Sequence, residues 1–597
     1  MIHASLDKET IRRKYSEERK KRLRPDGNAQ YVRLEDVLKD LAGDPYTPWT
    51  EREPARDHVT FAFVGGGFAG LVVGARLKEA GIKDFRLIEK GGDVGGTWYW
   101  NRYPGARCDT AAMIYLPLLE ETGYIPTEKY VRGPEIRAHC QRIANQYGLY
   151  EKALLHTEVT ALEWLQEAGV WRITTDRGDD FTAKYIGMGT GPLHVAKLPG
   201  IPGIETFNGK AFHTSRWDYG YTGGNPDNGH LGNLANKRVA IIGTGATGVQ
   251  CIPPLARSSG QLYVFQRTPS SVDERHNHPI DPDWFATIAT PGWQKRWLDN
   301  FVDNQGRGIP EEDLIDDGWT EISRRIRTKI FSLPPELMNP AGFQAAFEEA
   351  DIEKMEQIRS RVDYIVEDPL TAENLKAWYS QLCKRPCFSD EYLPAFNLPN
   401  TKLVDTNGKG VERITETGVV ANGQLYEVDC IIFASGFEYG ASLELKTGYD
   451  LRGRGGRMLS EHWANGLRTL HGLHMHGFPN AFMVQMNQGA NMVTNIPHNI
   501  VDHAQTIAQI VSYVEQKGYS EVEPTLAAEA GWIELILSGQ GSLFGSPDCT
   551  PGYYNNEGQG FDKAYRQTLG HPGGPKAFFE HMEHWRKAGN FDGLSFR

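Results

Sequence analysis

Six glycines mark out the first chemistry in this chain. Gly65, Gly67 and Gly70 stand in a G-x-G-x-x-G spacing, and Gly243, Gly245 and Gly248 repeat it. In such a turn the first glycine permits a tight bend from strand to helix. The second lets backbone approach a pyrophosphate, and the third lets helix pack on strand. The helix that follows offers unpaired N–H groups and a partial positive charge to phosphate oxygens. The residues that close the next strands differ between the two turns. Glu89 follows the first, and a carboxylate there accepts hydrogen bonds from a ribose diol. Arg267 and Thr268 follow the second. A guanidinium makes paired, charge-assisted bonds to phosphate oxygens, which suits a 2′-phosphate. The first site is therefore predicted to take FAD and the second NADPH rather than NADH, with Thr244, Ala246 and Thr247 lining the second turn.

The elements that must position these turns are legible around them. Residues 59–64 form a short apolar run with β-branched and aromatic side chains, as a buried parallel strand requires. A helix over 71–80, closed by Gly81, and a strand over 85–89 complete one βαβ unit. Residues 161–175 alternate like an antiparallel hairpin, and 185–191 read as a strand entering a glycine turn. A second βαβ unit runs from 239 to 265. The fold class is thus α/β, with two Rossmann-like dinucleotide-binding domains. From 281 to 383 the pattern turns helical: Asn339-Pro340 reads as a helix start, and Ile352, Met355, Ile358, Val362 and Ile365 recur on one face. The expected division is an extension over 1–57, FAD domain 58–200, NADP domain 201–280, a helical insertion 281–383, NADP domain again 384–429, and FAD domain with C-terminal loops 430–597.

Composition narrows the function classes. With 64 basic against 76 acidic residues the net charge is −12, which argues against a nucleic-acid binder. No apolar run approaches the ~20 residues that a membrane span needs. The charged start, Lys8 to Lys14, does not resemble a signal peptide. Seven cysteines over 597 residues do not read as a disulfide framework, so a reducing cytoplasm is expected. The extension reads as a solvated helix packed across the body, with 24–33 a turn or extended segment; no feature specifies an oligomer.

Between the two glycine turns lies 207–218, Phe-Asn-Gly-Lys-Ala-Phe-His-Thr-Ser-Arg-Trp-Asp. Its pattern, F-x-G-x-x-x-H-x-x-x-W-D, resembles the fingerprint of the type I Baeyer–Villiger monooxygenases. These flavoproteins insert one oxygen atom of O2 beside a ketone carbonyl. N- and S-oxygenating relatives usually end the motif in Tyr or Phe where this chain has Trp217-Asp218. The resemblance covers roughly residues 58–560, and the extension marks a larger kind. A second family pattern, G-G-x-W-x-x-x-x-Y-P-G-x-x-x-D, is matched without a gap over 95–109.

The resemblance implies roles for particular residues. Thr97, Trp98 and Asp109 lie along FAD, with Tyr115 and Val159 at less specific FAD positions. Arg107, Cys108 and Asp109 approach the nicotinamide cofactor. Arg385, in Lys384-Arg385-Pro386, is the fixed cation that stabilises a C4a-peroxyflavin anion and the oxyanion formed when it attacks the ketone. A preorganised donor of that kind is worth ~10²–10³ in rate, and arginine stays charged where lysine need not. Asp109 helps to place it, and Lys384 reaches the 2′-phosphate. The segment 429–437 resembles D-x-x-x-x-A-T-G-F, with Ser435 for the usual threonine. Residues 485–491, rich in amides, occupy the region that opens a flavin-facing helix, and the loop at 551–558, with Tyr553, folds over the nicotinamide cofactor.

His213 has no companion His or Cys at ligand spacing, so it reads as a mechanical linker contact and no metal is expected. Cys383-x-x-x-Cys387 fits neither spacing used by flavin disulfide reductases, and both read as core or incidental thiols. The expected activity is NADPH- and O2-dependent oxidation of a bulky or cyclic ketone to an ester or lactone. The alternatives are an N- or S-oxygenase on the same scaffold, a disulfide oxidoreductase disfavoured by the missing cysteine pair, and a redox sensor that binds both cofactors without turnover.

Overall fold

The computed structural model of the chain describes every residue except 1–6, 38–42, 228, 307–309, 439–442, 491–494, 540–547 and 561. Asn491 and the middle of the 537–560 loop therefore lie outside the described residues. Helix α1 (Lys8–Arg22), capped by the Asp7 side chain, opens the N-terminal extension, and β1 (Tyr31–Arg33) follows it. Strand β2 (His58–Val64) buries Val59, Phe61, Ala62 and Phe63, then turns through Gly65 into α2 (Phe68–Glu79) and β3 (Phe85–Ile88). After α3 (Gly133–Gln146) come the antiparallel strands β4 (Val159–Leu165), β5 (Val170–Thr175) and β6 (Asp180–Met188). Strand β7 (Lys197–Pro199) pairs antiparallel with β1, which ties the extension to the body.

The second unit begins with β8 (Lys210–His213), β9 (Arg238–Ile242), α4 (Ala246–Ser258) and β10 (Gln261–Gln266). A short strand β11 (Val272–Asp273) leads into five helices: α5 (Pro282–Ile288), α6 (Trp293–Gln305), α7 (Gly318–Phe331), α8 (Pro340–Ile365) and α9 (Pro369–Leu375). Asn339 caps α8, accepting from the N–H groups of Ala341 and Gly342, and the helix buries Met355, Ile358 and Val362, with Ile352 and Ile365 at the margin. Then follow β12 (Cys387–Phe388), β13 (Thr401–Asp405), the antiparallel meander β14 (Arg413–Thr415), β15 (Gly418–Ala421) and β16 (Gln424–Glu427), and β17 (Cys430–Phe433). The last part holds β18 (Leu451–Arg452), β19 (Ala481–Met483), α10 (Ile496–Lys517), α11 (Leu526–Leu537) and α12 (Gly574–Ala588).

Two sheets result. The first runs β18-β4-β5-β6-β2-β3, with β19 also paired to β6, and α10 packs along α2 on its face. The second runs β13-β10-β9-β17-β8, all parallel. Strand β17 corrects one expected boundary. Cys430–Phe433 lies between β9 and β8 in the second sheet, so the chain crosses back only after Phe433, not at 430. An apolar four-residue run suits either sheet, and only its partners decide.

A second correction concerns the cysteines. Cys383 and Cys549 form a disulfide across 166 residues, within a small apolar cluster of Met355, Ile358, Ala377 and Tyr379. Cys387 stays a buried thiol, as do Cys108, Cys140, Cys251 and Cys430. Local spacing compared Cys383 with Cys387, whereas the partner arrives from the C-terminal loop.

Candidate active site

The two glycine turns are built alike. A Cβ on Gly65 (φ +115°) would stand 2.5 Å from Gly189 O, and one on Gly243 (φ +113°) 2.5 Å from Ala434 O. A Cβ on Gly70 would lie 2.1 Å from Gly65 O, and one on Gly248 2.3 Å from Gly243 O. The outer glycines are thus required by protein packing. The middle ones are not: a Cβ on Gly67 would meet only Gly96, at 3.4 Å, and one on Gly245 nothing within 4 Å. They leave open space in front of each turn, as close approach of a pyrophosphate would require. Gly67 and Gly245 cap α2 and α4 without any side-chain hydrogen bond, so the first-turn N–H groups face that space. The residues present fit two dinucleotides.

Glu89 is buried at the first turn and accepts from Gly66 N at 2.5 Å and Gly91 N at 2.7 Å. Burial raises its pKa against the pull of these two bonds. Thr97 opens a helical turn whose preceding Gly96 packs on Gly67. Trp98 Nε1 donates to Tyr115 Oη at 3.0 Å, so two of the expected residues meet. Val159 starts β4, buried, just beyond Thr157, whose N–H bonds the Glu89 carbonyl. Cys108 is buried, accepts from Thr110 N, and has its thiol pushed up to about 12 by burial. At the second turn, Thr244 Oγ1 donates to Thr268 O at 3.0 Å, and Ala246 and Thr247 open α4.

Residues 103–107 form the seam between the units. A Cβ on Gly105 (φ +82°) would stand 2.3 Å from Gln250 O on α4. Gln250 also accepts from Tyr103 Oη at 3.0 Å and donates to Arg107 O at 2.8 Å. The Arg107 side chain pairs with Glu128 at 3.3 Å. The fingerprint segment is part of the same seam. His213 ends β8, fully buried, with its ring against Phe437 where the chain crosses back; burial first, then Arg216, lowers its pKa to about 3. Trp217 Nε1 donates to Thr222 Oγ1, and Asp218 caps the next helical turn. Tyr46, from the N-terminal extension, accepts from Trp217 N at 3.1 Å while its hydroxyl reaches Ser215 O and Trp100 O, both at 3.3 Å.

Asp109 is the centre of the site, 3% exposed at its side chain. Arg385 Nη1 donates to its Oδ2 at 2.8 Å, and Arg275 Nη2 to its Oδ1. Burial works to raise the carboxyl pKa, but Arg275 and then Arg385 hold it below the ordinary range. Burial likewise opposes the charge on Arg385, and Asp109 more than offsets it. One buried carboxylate serves two guanidiniums, which leaves positive charge in excess. Such a surplus stabilises a negative charge that appears on a reacting oxygen.

The helical insertion holds this arrangement. Strand β11 pairs parallel with β12, Val272 opposite Cys387, which brings Arg275 just past one strand and Arg385 just before the other. Arg361 of α8 donates to Val272 O and Ser389 O, both at 3.1 Å, and clamps the two strands. Lys354, buried on α8, pairs with Asp273 at 2.6 Å and Glu321 at 3.0 Å. From α7, Trp319 Nε1 donates to Asp109 O at 3.1 Å, and the Arg385 guanidinium lies 5.7 Å from its ring.

Beside this centre is a group of cations. Arg267 and Lys384 lie there together, and burial followed by Arg267 lowers Lys384 to about 8. Tyr553 and Tyr554, rings 4.5 Å apart, sit in the turn Tyr553–Gly558 close to Arg385. The structure therefore joins the expected Asp109 and Arg385 directly and places Lys384 and Arg267 within electrostatic range of one another, and Tyr553 within that of Arg385. Arg275, Trp319 and Tyr46 were not foreseen: none belongs to a spaced motif, and a lone arginine before His276 carries no signal in sequence.

Comparison with known proteins agrees with this geometry. Residues 64–123 match the model of an NAD(P)-binding Rossmann-like domain. Over 99% of its length the chain is 49% identical to pentalenolactone D synthase of Streptomyces arenae, covering 100% of that protein. It is 48% identical to a Baeyer-Villiger monooxygenase of Streptomyces coelicolor, over 97% of this chain and 95% of that one. Among solved structures, a polycyclic ketone monooxygenase from the fungus Thermothelomyces thermophila superposes with a TM-score of 0.92 at 36% identity, covering 99% of both chains. A steroid monooxygenase bound to NADP gives 0.72 at 28% identity, over 90% of this chain and 99% of that one. The chain belongs to the type I Baeyer–Villiger monooxygenases. It is an FAD-dependent, NADPH- and O2-consuming enzyme that oxidises ketones to esters or lactones, and N- or S-oxygenation is not favoured. No described helix is long and apolar enough to cross a membrane.

Proposed function

We propose that this enzyme acts on a bulky, fused-ring or large-ring ketone, with Arg385 as the charge-stabilising residue and Asp109 as its anchor. The carrying observation is the 2.8 Å bond from Arg385 to a buried carboxylate that a second arginine already serves. The substrate class is supported by the names of its relatives, a pentalenolactone D synthase, a ketocytochalasin monooxygenase and a polycyclic ketone monooxygenase.

FAD, when bound, would supply the acceptor for a hydride from NADPH and the means to activate O2. In this reading the unit around β2 and α2 holds FAD through Gly65, Gly67, Gly70, Glu89, Thr97, Trp98, Tyr115 and Val159. The unit around β9 and α4 holds NADPH through Gly243, Thr244, Gly245, Ala246, Thr247, Gly248, Arg267, Thr268 and Lys384. Arg107 and Cys108 line the seam where the two cofactors approach, and Tyr553 covers it. The Arg385 guanidinium, held by Asp109, would stabilise negative charge developing on the carbonyl oxygen as it is attacked. We also infer a cytoplasmic setting from the demand for NADPH alone, since the Cys383–Cys549 disulfide removes the cysteine pattern as support for it.

A panel of small, large-ring and fused-ring ketones tests the reading, with NADPH consumption matched to ester or lactone formed. Turnover of the large members is expected. An N-hydroxylated primary amine with no ketone turnover would overturn it. Arg385→Ala is expected to keep NADPH oxidation and lose ~10²-fold or more of ester formation.

A further inference from the structure

The expected 2′-phosphate residues are surrounded by groups from both ends of the chain. Arg267 Nη1 donates to Gln30 Oε1, and Nη2 to Tyr31 Oη at 3.2 Å. Arg22, 7% exposed at its side chain, donates from Nε to Arg267 O at 3.2 Å and to Thr268 Oγ1 at 3.1 Å. Its other end is tied to Glu18 at 2.6 Å. Residues 22, 30 and 31 all belong to the N-terminal extension. From the far end of the chain comes Glu557. Its carboxylate is 4% exposed, accepts from Tyr31 Oη at 3.2 Å, and lies 3.7 Å from Arg267. Its Oε2 is buried and accepts no hydrogen bond. Residue 557 holds φ +52°, a left-handed conformation that glutamate rarely adopts. Lys197 and Lys384 both feel its charge together with that of Arg267.

We propose that Glu557 is an internal stand-in for the 2′-phosphate of NADPH, and that Arg22, Gln30 and Tyr31 hold Arg267 and Thr268 ready for the exchange. The proposal rests on the reading that the second unit binds NADPH. Arg267 repels both Lys384 and Lys197 when no anion lies among them, and a single carboxylate relieves part of that repulsion. It does so incompletely, since one of its oxygens is unbonded. A phosphate carries about −1.5 to −2 charges and three acceptor oxygens, so it makes more charge-assisted bonds in the same place. NADH has no such group and cannot take over the role of Glu557. The extension thereby becomes a specificity element: it fixes the turn that tells the two nucleotides apart.

The turn that carries Glu557 can respond as a unit. Asn555 Oδ1 accepts from Gly552 N and Gly558 N, and its Nδ2 donates to Cys549 O and Thr550 O. Tyr553 and Tyr554 stand on that same turn, so exchange of the carboxylate for phosphate is felt next to Arg385.

The test is direct binding to the purified FAD-loaded enzyme, with NADP+, NAD+ and 2′,5′-ADP as probes, followed by calorimetry. Glu557→Gln keeps the shape of the side chain and removes its charge. NADP+ and 2′,5′-ADP are expected to bind about three- to tenfold more tightly to it, with NAD+ unchanged. Unchanged or weaker NADP+ binding overturns the stand-in. Tyr31→Phe and Arg22→Gln are expected to weaken NADP+ about tenfold and leave NAD+ alone; an equal loss for both nucleotides, or none, overturns the part given to the extension. If the unaltered enzyme binds NADP+ no better than NAD+, the NADPH site itself has been misplaced, which is a separate failure.

Discussion

Arg275 shows how much one side chain can decide at this site. It occupies Asp109 Oδ1 and leaves Arg385 a single bond to Oδ2. Without it, the Arg385 fork is free to take both oxygens of the carboxylate, and its charge is neutralised where it is needed. Arg275→Gln is therefore expected to oxidise NADPH in the absence of ketone within about twofold of the parent rate, while ester formed per NADPH falls ~10-fold or more. A product yield equal to that of the parent enzyme would show that Arg275 has no such part. Lys384 gives a second prediction. Burial, then Arg267 and Arg22, depress its pKa to about 8, with Glu557 pulling the other way. Above that pH the ammonium loses its proton and, on the proposed reading, one partner of the 2′-phosphate is gone. NADP+ affinity is expected to weaken as pH rises from 7 to 9, with NAD+ affinity flat; parallel curves for the two nucleotides refute this. Arg385, Lys384, Asp109 and Arg267 were legible because each lies in a motif. Arg275 was not, since its partner is 166 residues away.

At the scale of elements, the helical insertion is the support of the site rather than an appendage. Its α8 clamps β11 and β12 through Arg361 and anchors Asp273 through Lys354. The Cys383–Cys549 disulfide ties the end of this region to the root of the turn that carries Tyr553 and Glu557. Closing a loop of this length restrains the unfolded chain by up to ~4–5 kcal/mol in the chain-entropy account. Cys549→Ser is expected to lower the melting temperature and to loosen NADP+ more than FAD, because the freed turn borders the cation group. Equal FAD and NADP+ affinities before and after mild reduction of the native enzyme would argue that the crosslink is stabilising only.

Taken whole, the molecule buries several groups in the neutral state that it cannot hold in acid. His213, His474 and His498 have pKa values lowered to about 3, and His139 and His503 to about 4, all chiefly by burial. In the unfolded chain these titrate near 6.5, so between pH 6.5 and 4 the unfolded state binds the extra protons and stability falls with pH. Asp317, Asp351 and Asp502, raised to about 6 by burial, act in the opposite sense. His471, lowered further still by burial and by the neighbouring histidines, adds to the histidine side, so the buried histidines outnumber these three aspartates and stability falls on balance as the pH drops. The melting temperature is expected to drop steeply from pH 6.5 to 4.5; a flat profile there contradicts the burial of these rings.

Local order in the chain determined what depends on neighbouring residues. Both glycine turns, the strands and helices that flank them, the cap of α8 and the family motifs all lie within short spans whose spacing is itself the physical requirement. Tertiary structure alone decided which sheet received Cys430–Phe433, which cysteine met Cys383, and which second arginine shared Asp109. It also brought Arg22 and Glu557, from opposite ends of the chain, around Arg267. Each of these is a choice among chemically equivalent partners far apart in sequence, and only the packing of the two units, the insertion and the extension brings one of them within bonding distance.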